Sequence, residues 1–243
     1  MPASPSASAG AGGLPSAEWL ALVNRQALAV RLISTTVHDV NNILQVVSGA
    51  AEVLALDPSP AAVAKRTTSI VTQASTATAV LAGLVGFVRA DSQAQDGAKP
   101  LALASQALAF RQHAFRKGRI TAASSGDDVD AAIPRHHLQQ VLLNLVVNAE
   151  HVVAGRGDGR VQIAVSGGDV VTVDVDDNGP GWPDPPDEAM ARWPATPGTA
   201  AGALGLGLRV SRELVARAGG TLTCADSPLG GARVRLTVPA LRR

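Results

Sequence analysis

Cysteine is almost absent from this chain, because Cys224 is the only one among 243 residues. A single cysteine excludes an intrachain disulfide and any metal site built from a cluster of cysteines, and such usage is typical of a reducing compartment. The simplest role for Cys224 is that of a small side chain that fills space in a strand.

An excess of charge of either sign is also missing. The 21 lysines and arginines balance 20 aspartates and glutamates, so the formal net charge is +1. Without a strong field over the whole chain, binding to nucleic acid or to an anionic membrane is not expected. The hydrophobic content of 46% is instead sufficient for a buried core in one large or two small domains.

No stretch has the pattern of a signal peptide or a continuous membrane span. The N-terminal MPASPSASAGAGGLPS has neither a basic region nor an unbroken apolar region, which predicts a disordered tail over residues 1–16. The longest apolar stretch, ATAVLAGLVGFV ending at Val88, is about half of the roughly 20 residues that a spanning helix needs. A cytoplasmic protein with no membrane partner is therefore expected.

Residues 17–92 are predicted to form an antiparallel helical hairpin. The break between its two helices is DPSP at residues 57–60. On each side of the break, apolar residues recur three, four or seven apart, as one face of a helix requires. These residues are Ile33, Val37, Val40, Leu44, Val47, Ala51 and Leu54, then Val63, Ile70, Ala74, Ala77, Leu81, Leu84 and Val88. One hairpin cannot bury both apolar faces, so a homodimer with a four-helix bundle is expected.

A polar stripe lies beside the apolar face of the first helix. His38, Asn41, Asn42 and Gln45 occur at i, i+3, i+4 and i+7. A solvated face explains such a stripe on any amphipathic helix. A nucleophilic imidazole next to the carboxylate of Asp39 is the chemical alternative, and the stripe alone does not decide between the two.

Residues 99–243 have a different pattern, and the polar DSQAQDGAKP at 91–100 marks the boundary. Helical segments alternate there with short strands, and the last two strands form a hairpin. Helices mixed with mostly antiparallel strands predict a two-layer α/β sandwich, so the whole chain is of the α+β class.

Three features of this second half indicate chemistry. Asn144 and Asn148 are four residues apart on an apolar helix, where amide oxygens suit a hard cation. DDNGPG places Asp177 before Gly179 and Gly181, an acceptor followed by residues that let a ligand approach the backbone. GALGLGL is predicted to be a turn before a helix, with Gly205 and Gly207 at an N-terminus that favours phosphate. Each feature alone is weak.

The order of these features resembles the N, G1 and G2 boxes of the ATPase domain shared by histidine kinases, gyrase, Hsp90 and MutL. Upstream, HDVNN resembles the phosphoacceptor box of histidine kinases, and together the matches span residues 30–240. Asn144 stands where gyrase, Hsp90 and MutL need a glutamate to activate water. This difference favours the histidine kinases.

The resemblance implies a role for each matching residue of the phosphoacceptor and N boxes. His38 corresponds to the phosphoacceptor, Asp39 to its hydrogen-bonding base, and Asn42 to the residue that positions a water for phosphatase activity. Asn148 corresponds to the Mg²⁺ ligand and Asn144 to its companion.

The glycine-containing boxes have implied roles as well. Asp177 corresponds to the acceptor of the adenine amino group, and Gly179 and Gly181 to the turn beneath the base. Gly205 and Gly207 would line the phosphates. ATP and Mg²⁺ are thus the implied cofactors.

Two departures from the family concern the lid over the phosphates. Ala203-Leu204 stands where a glycine and a threonine are usual, and the Pro- and Ala-rich loop between Trp182 and Gly202 lacks the usual Phe-rich element. Both departures predict weak contacts to the γ-phosphate.

The function predicted is a dimeric two-component histidine kinase that phosphorylates His38 from Mg²⁺-ATP and then a response-regulator receiver aspartate. The alternative is a histidine phosphotransferase or regulatory scaffold whose ATP-binding domain is degenerate, which Ala203-Leu204 favours. A third interpretation, an anti-sigma-type binding module, is disfavoured by His38 and its hairpin.

Overall fold

The computed structural model describes residues 16–89, 97–182 and 200–241. These contain five helices and five strands. The helices are α1 (Ala17–Leu56), α2 (Pro60–Arg89), α3 (Pro100–Gly118), α4 (Arg135–Val153) and α5 (Ala200–Arg217), and the strands are β1 (Thr121–Gly126), β2 (Arg160–Ser166), β3 (Val170–Asp177), β4 (Thr221–Asp226) and β5 (Ala232–Pro239). The predicted tail over residues 1–16 lies, except for Ser16, outside the described residues.

The predicted N-terminal hairpin is confirmed as α1 and α2, which pack against each other along their length. Ser16 caps α1, because its Oγ accepts a hydrogen bond from the Trp19 backbone N–H at 3.2 Å. The helix stops at Asp57, whose extended backbone is what a residue before proline adopts. Pro60 then begins α2, a position where its missing N–H costs no hydrogen bond.

The second half is the predicted α/β sandwich. Its five strands form one sheet in the order β1-β2-β3-β5-β4, in which β1 and β2 are parallel and the other pairs antiparallel. In β2, Val161, Ile163 and Val165 are buried and the residues between them are exposed. One face of the sheet therefore packs against helices, while the other faces solvent.

The base of the hairpin belongs to the same core as the sandwich. Leu28 and Leu32 of α1 and Phe87 of α2 are buried with the helices of the second half. Arg25 fixes this junction by donating hydrogen bonds from Nε, at 2.9 Å, and from its terminal nitrogen to the Phe87 carbonyl. The apolar face predicted for the hairpin of residues 17–92 starts at Ile33, and the part of α1 before it, from Ala17, serves this packing.

Helix α2 also has the length and composition of a membrane span. An 18-residue window within Pro60–Val88 has a mean hydropathy of 1.5, and among the described residues this is the one helix that qualifies. Little of the window is buried within the chain. A second hairpin and a bilayer are both chemically suited to cover this surface, and a helix of a soluble bundle passes the same test.

Candidate nucleotide-binding and phosphoacceptor sites

A cavity of about 320 Å³ opens beside α4, the end of β3 and the start of β5. Its wall is mainly apolar. The polar side chains in the wall are the amide of Asn148, the carboxylate of Asp177 and the indole of Trp182. The remaining lining residues are Leu145, Ala149, Val152, Val175, Pro180, Gly181, Leu208, Ala232 and Val234. A mostly apolar wall with a few polar groups is the usual composition of a small-molecule site.

Asp177 is fixed by the backbone around it. Its Oδ1 accepts hydrogen bonds from the backbone N–H groups of Gly179 at 2.7 Å and Ala232 at 3.2 Å. Burial raises the pKa of Asp177 above its ordinary value, and these two hydrogen bonds act in the opposite direction. With Oδ1 occupied, Oδ2 is the carboxylate oxygen left for a ligand.

Glycines surround this carboxylate because of the backbone conformation or the lack of space at their positions. Gly181 has a φ of +78°, which favours glycine. A Cβ on Gly231 would lie only 2.4 Å from Asp177 Oδ1 and from the Gly179 nitrogen. Sequence reasoning missed Gly231, although the Gly230-Gly231 pair before β5 is a visible turn signal. It also missed that Trp182 lines the cavity and donates a hydrogen bond from Nε1 to the Ala225 carbonyl at 2.8 Å.

The two asparagines of α4 have different surroundings. Asn148 lines the cavity, and its buried Nδ2 has no hydrogen-bond partner among the described residues. Asn144 is buried instead in an amide network, in which it exchanges hydrogen bonds of 2.9 and 3.0 Å with Asn24 and donates one of 3.2 Å to Ser211 Oγ. The structure therefore brings Asn148, but not Asn144, to the cavity.

The predicted turn before the last helix is wrong. Helix α5 begins at Ala200, so Gly205 and Gly207 lie inside it and not ahead of its N-terminus. A Cβ on Gly207 would be 3.0 Å from Asn144 Oδ1, so this glycine allows α5 to pack closely on α4. The lid residues 183–199, and the side chains of Ala203 and Leu204, lie outside the described part, and the phosphate role of both glycines stays a prediction.

The HDVNN box lies on α1 where it faces α3. His38 is exposed, and its Nδ1 lies 3.0 Å from Asn42 Nδ2, one helical turn later. The ring of His113, from α3, lies against that of His38, with centroids 3.9 Å apart and the two planes tilted by 40°. The structure thus brings His38 and Asn42 together as the spacing predicted, and it adds a histidine that sequence reasoning missed.

Asp39 pairs with α3 and not with His38. Its Oδ1 is 3.3 Å from His113 Nδ1 and 3.8 Å from an Arg116 terminal nitrogen. Adjacent helical residues do not face each other, which explains why the expected hydrogen bond to His38 is not formed in this conformation. No sequence signal marked His113 or Arg116, because both sit on an ordinary polar helix face.

The family of the second half follows from comparison with known proteins. Residues 134–242 match the model of the histidine kinase-, DNA gyrase B- and HSP90-like ATPases. This region is therefore similar to the ATPase domains of that family. The cavity with Asn148 and Asp177 in its wall lies within this region. The family match therefore supports ATP as the ligand.

Sensor histidine kinases are among the proteins to which the chain is similar. Sensor protein kinase CarS of Pseudomonas aeruginosa is 36% identical over 107 residues, which are 43% of this chain and 23% of CarS. Histidine-protein kinase AtoS of Escherichia coli is 25% identical over 224 residues, which are 90% of this chain and 36% of AtoS. The chain therefore spans well under half the length of these relatives.

Solved structures agree on the fold of this half. The catalytic domain of histidine kinase ThkA superposes with a TM-score of 0.51 at 22% identity, and the match covers 59% of this chain and 94% of that one. The predicted fold class, a helical hairpin followed by a histidine-kinase ATPase sandwich, is confirmed.

Proposed function

We propose that this chain is a two-component histidine kinase that transfers the γ-phosphoryl group of Mg²⁺-ATP to His38 and then to a response-regulator aspartate. The observation that supports it is the combination of two sites in one chain. The ATPase domain has a cavity with a fixed carboxylate, Asp177, and the hairpin presents an exposed histidine with Asn42 one turn away. Neither site alone would indicate that the chain transfers a phosphoryl group to its own histidine.

In the cavity, Asp177 and Asn148 divide the recognition of the nucleotide. Asp177 Oδ2 would accept from the adenine amino group, since Oδ1 is already held by the backbone. Asn148 suits Mg²⁺, because it offers an amide oxygen and its side chain is not committed to another hydrogen bond through Nδ2. When bound, the ion would neutralise charge on the phosphates during transfer.

At His38, an imidazole nitrogen would form the new N–P bond while the bond between the γ-phosphorus and the ADP oxygen breaks, so that ADP leaves. His38 does not line the cavity, and α3 lies against it. Transfer therefore requires the ATPase domain to leave this position, or the cavity of a second copy to approach His38. Asn42 would orient a water when the phosphorylated regulator is hydrolysed.

The test is incubation of the full chain with γ-labelled ATP and Mg²⁺. Acid-labile label should appear on the wild type and be lost in His38→Ala, because the nucleophile is removed. The exposed His151 provides a matched control, and His151→Ala should be labelled like the wild type. Label that persists in His38→Ala would exclude His38 as the acceptor.

A second candidate, a phosphotransferase with a degenerate ATP-binding domain, is favoured by Ala203-Leu204. Under this alternative, His38 would accept label from a phosphorylated receiver domain but not from ATP. The same variants tested with both donors distinguish the two functions. Equal affinities for ADP and ATP would add support for the alternative, because they would show that the γ-phosphate is not recognised.

A further inference from the structure

Three potential metal ligands meet where α1 faces α3. His38 and Asp39 come from the hairpin, and His113 comes from the ATPase domain. One ligand atom from each residue lies within 4.8 Å of the other two. The pair His113 Nδ1 and Asp39 Oδ1 is 3.3 Å apart, which is about the separation of two ligands around a tetrahedral Zn²⁺. Small side-chain shifts would bring the third ligand atom to that spacing.

One oxygen of the Asp39 carboxylate in this cluster lacks a hydrogen-bond donor among the described residues. This oxygen, Asp39 Oδ1, is buried. Its two nearest cationic neighbours are His113 and Arg116, at 3.3 and 3.8 Å. The side chain of Arg116 is long, flexible and 65% exposed, so its guanidinium group can move away from an incoming ion. A buried acceptor without a donor is costly unless a cation or a ligand completes it.

The cluster also leaves a nitrogen of His38 available. Asn42 Nδ2 lies against Nδ1, so Nε2 is the ring nitrogen without that contact. Two imidazoles and one carboxylate, with a water as fourth ligand, form a common zinc coordination set. Nitrogen ligands favour Zn²⁺ over Mg²⁺, which prefers oxygen.

We propose that His38, Asp39 and His113 bind one Zn²⁺ ion, which joins the hairpin to the ATPase domain and occupies the phosphoacceptor. The ion would use the imidazole that phosphorylation needs, and it would fix α3 against α1. Zn²⁺ then holds the kinase in the inactive arrangement. The inhibitory part rests on the proposed function, whereas the binding site does not.

The binding site is tested without nucleotide. Metal-free full chain is titrated with Zn²⁺ by calorimetry and with Co²⁺ by visible absorption, in the presence of excess Mg²⁺. One ion per chain should bind, with the intense bands of tetrahedral Co²⁺. The variants His38→Ala, Asp39→Asn and His113→Ala should each lose at least about tenfold in affinity, because even outer-shell partners of metal ligands are worth that much. The control His151→Ala should bind like the wild type.

Binding that is absent, or that His113→Ala leaves unchanged while circular dichroism shows the variants folded, would overturn the site. The inhibitory part is tested by labelling with γ-labelled ATP over a series of Zn²⁺ concentrations. Zn²⁺ should block label on the wild type and not on His113→Ala. Equal inhibition of both would overturn the regulatory role, and a chain that binds Zn²⁺ but is never labelled would contradict the kinase function alone.

Discussion

At the residue scale, the Asp177 carboxylate depends on a glycine that precedes a different strand. Gly231 lies so close to Asp177 Oδ1 and to the Gly179 nitrogen that a Cβ has no room. The atoms that would be displaced are backbone atoms and a hydrogen-bonded oxygen, and moving either costs free energy of folding. Gly231 is therefore a determinant of the cavity, although it contributes no functional group.

The substitution Gly231→Ala should weaken ATP binding strongly, on the order of tenfold or about 1.4 kcal/mol, because it moves the carboxylate expected to hold adenine. Calorimetry with ATP measures the effect. Gly168→Ala is the matched control, since its Cβ would make an ordinary contact of 3.7 Å. Unchanged affinity in Gly231→Ala would show that Asp177 does not position the nucleotide.

His137 is the residue whose environment most clearly links folding to pH. Burial, together with the positive charges of His136, Arg217 and Arg25, lowers its pKa to about 4. In the unfolded chain its pKa is roughly 6.5. Between these values the unfolded state binds more protons, so this residue destabilises the fold as the pH falls from about 6.5 to 4.

The substitution His137→Gln should remove that part of the pH dependence. Urea unfolding at pH 7 and pH 5 gives the free energies to compare, and the wild type should lose more stability than the variant on acidification. The exposed His151, changed to Gln, should leave the wild-type difference intact. A His137→Gln variant with the full wild-type loss would contradict the assignment.

At the element scale, a buried amide network holds α1 against the ATPase domain. Asn24 of α1 exchanges hydrogen bonds with Asn144 and accepts one of 2.8 Å from Gln140, both on α4. All three side chains are buried. Buried amides that lose a partner incur the full cost of desolvation, so the junction of hairpin and sandwich is sensitive to this one residue.

The substitution Asn24→Ala should reduce the free energy of unfolding by about 1–3 kcal/mol, since Asn144 Oδ1 then loses its donor and the Gln140 and Asn144 amide groups each lose one acceptor. Denaturant unfolding measures the loss. Asn41→Ala, an exposed asparagine of the same helix, should change it little. An Asn24→Ala chain as stable as the Asn41→Ala chain would show that water replaces the lost amide and that the junction is open to solvent.

At the scale of the whole molecule, the hairpin leaves much of its apolar face exposed. Of the residues predicted to line that face, several stay open to solvent in the single chain. They are Ile33, Val37, Leu44, Val63, Leu81 and Val88. Exposed apolar residues in register along two helices are typical of a face that another helix pair covers.

The full chain should therefore be a dimer at micromolar concentration, and light scattering measures its mass. Leu44→Glu should shift it to monomer, because a carboxylate would be buried in the bundle. Its neighbour Gln45 is exposed and polar, so Gln45→Glu should remain a dimer. A monomeric wild type that sediments with membrane vesicles would indicate that the apolar surface of α2 meets a bilayer.

Much of the fold was predictable because its signals are local. Asp57 and Pro58 end α1, and the repeat of apolar residues marks both hairpin helices, since these effects act within a few residues of chain. Asp177 and Asn148 lie on the strand and helix that the pattern predicted, although it was the order of the boxes that gave them their expected roles. The predicted start of α5 was wrong, because Gly205 and Gly207 lie inside the helix, where Gly207 has no side chain to keep α5 away from Asn144.

By itself, the sequence determined most of the elements, their order and the resemblance of the second half to histidine-kinase ATPases. Only the tertiary structure decided which side chains meet across the chain: Asn24 with Asn144, Asp39 with His113, and Gly231 with Asp177. Spacing along one helix or strand is fixed by its repeat, so local pattern is sufficient to predict it. Contacts between distant segments depend on how the elements pack, and no repeat within a single element records that arrangement.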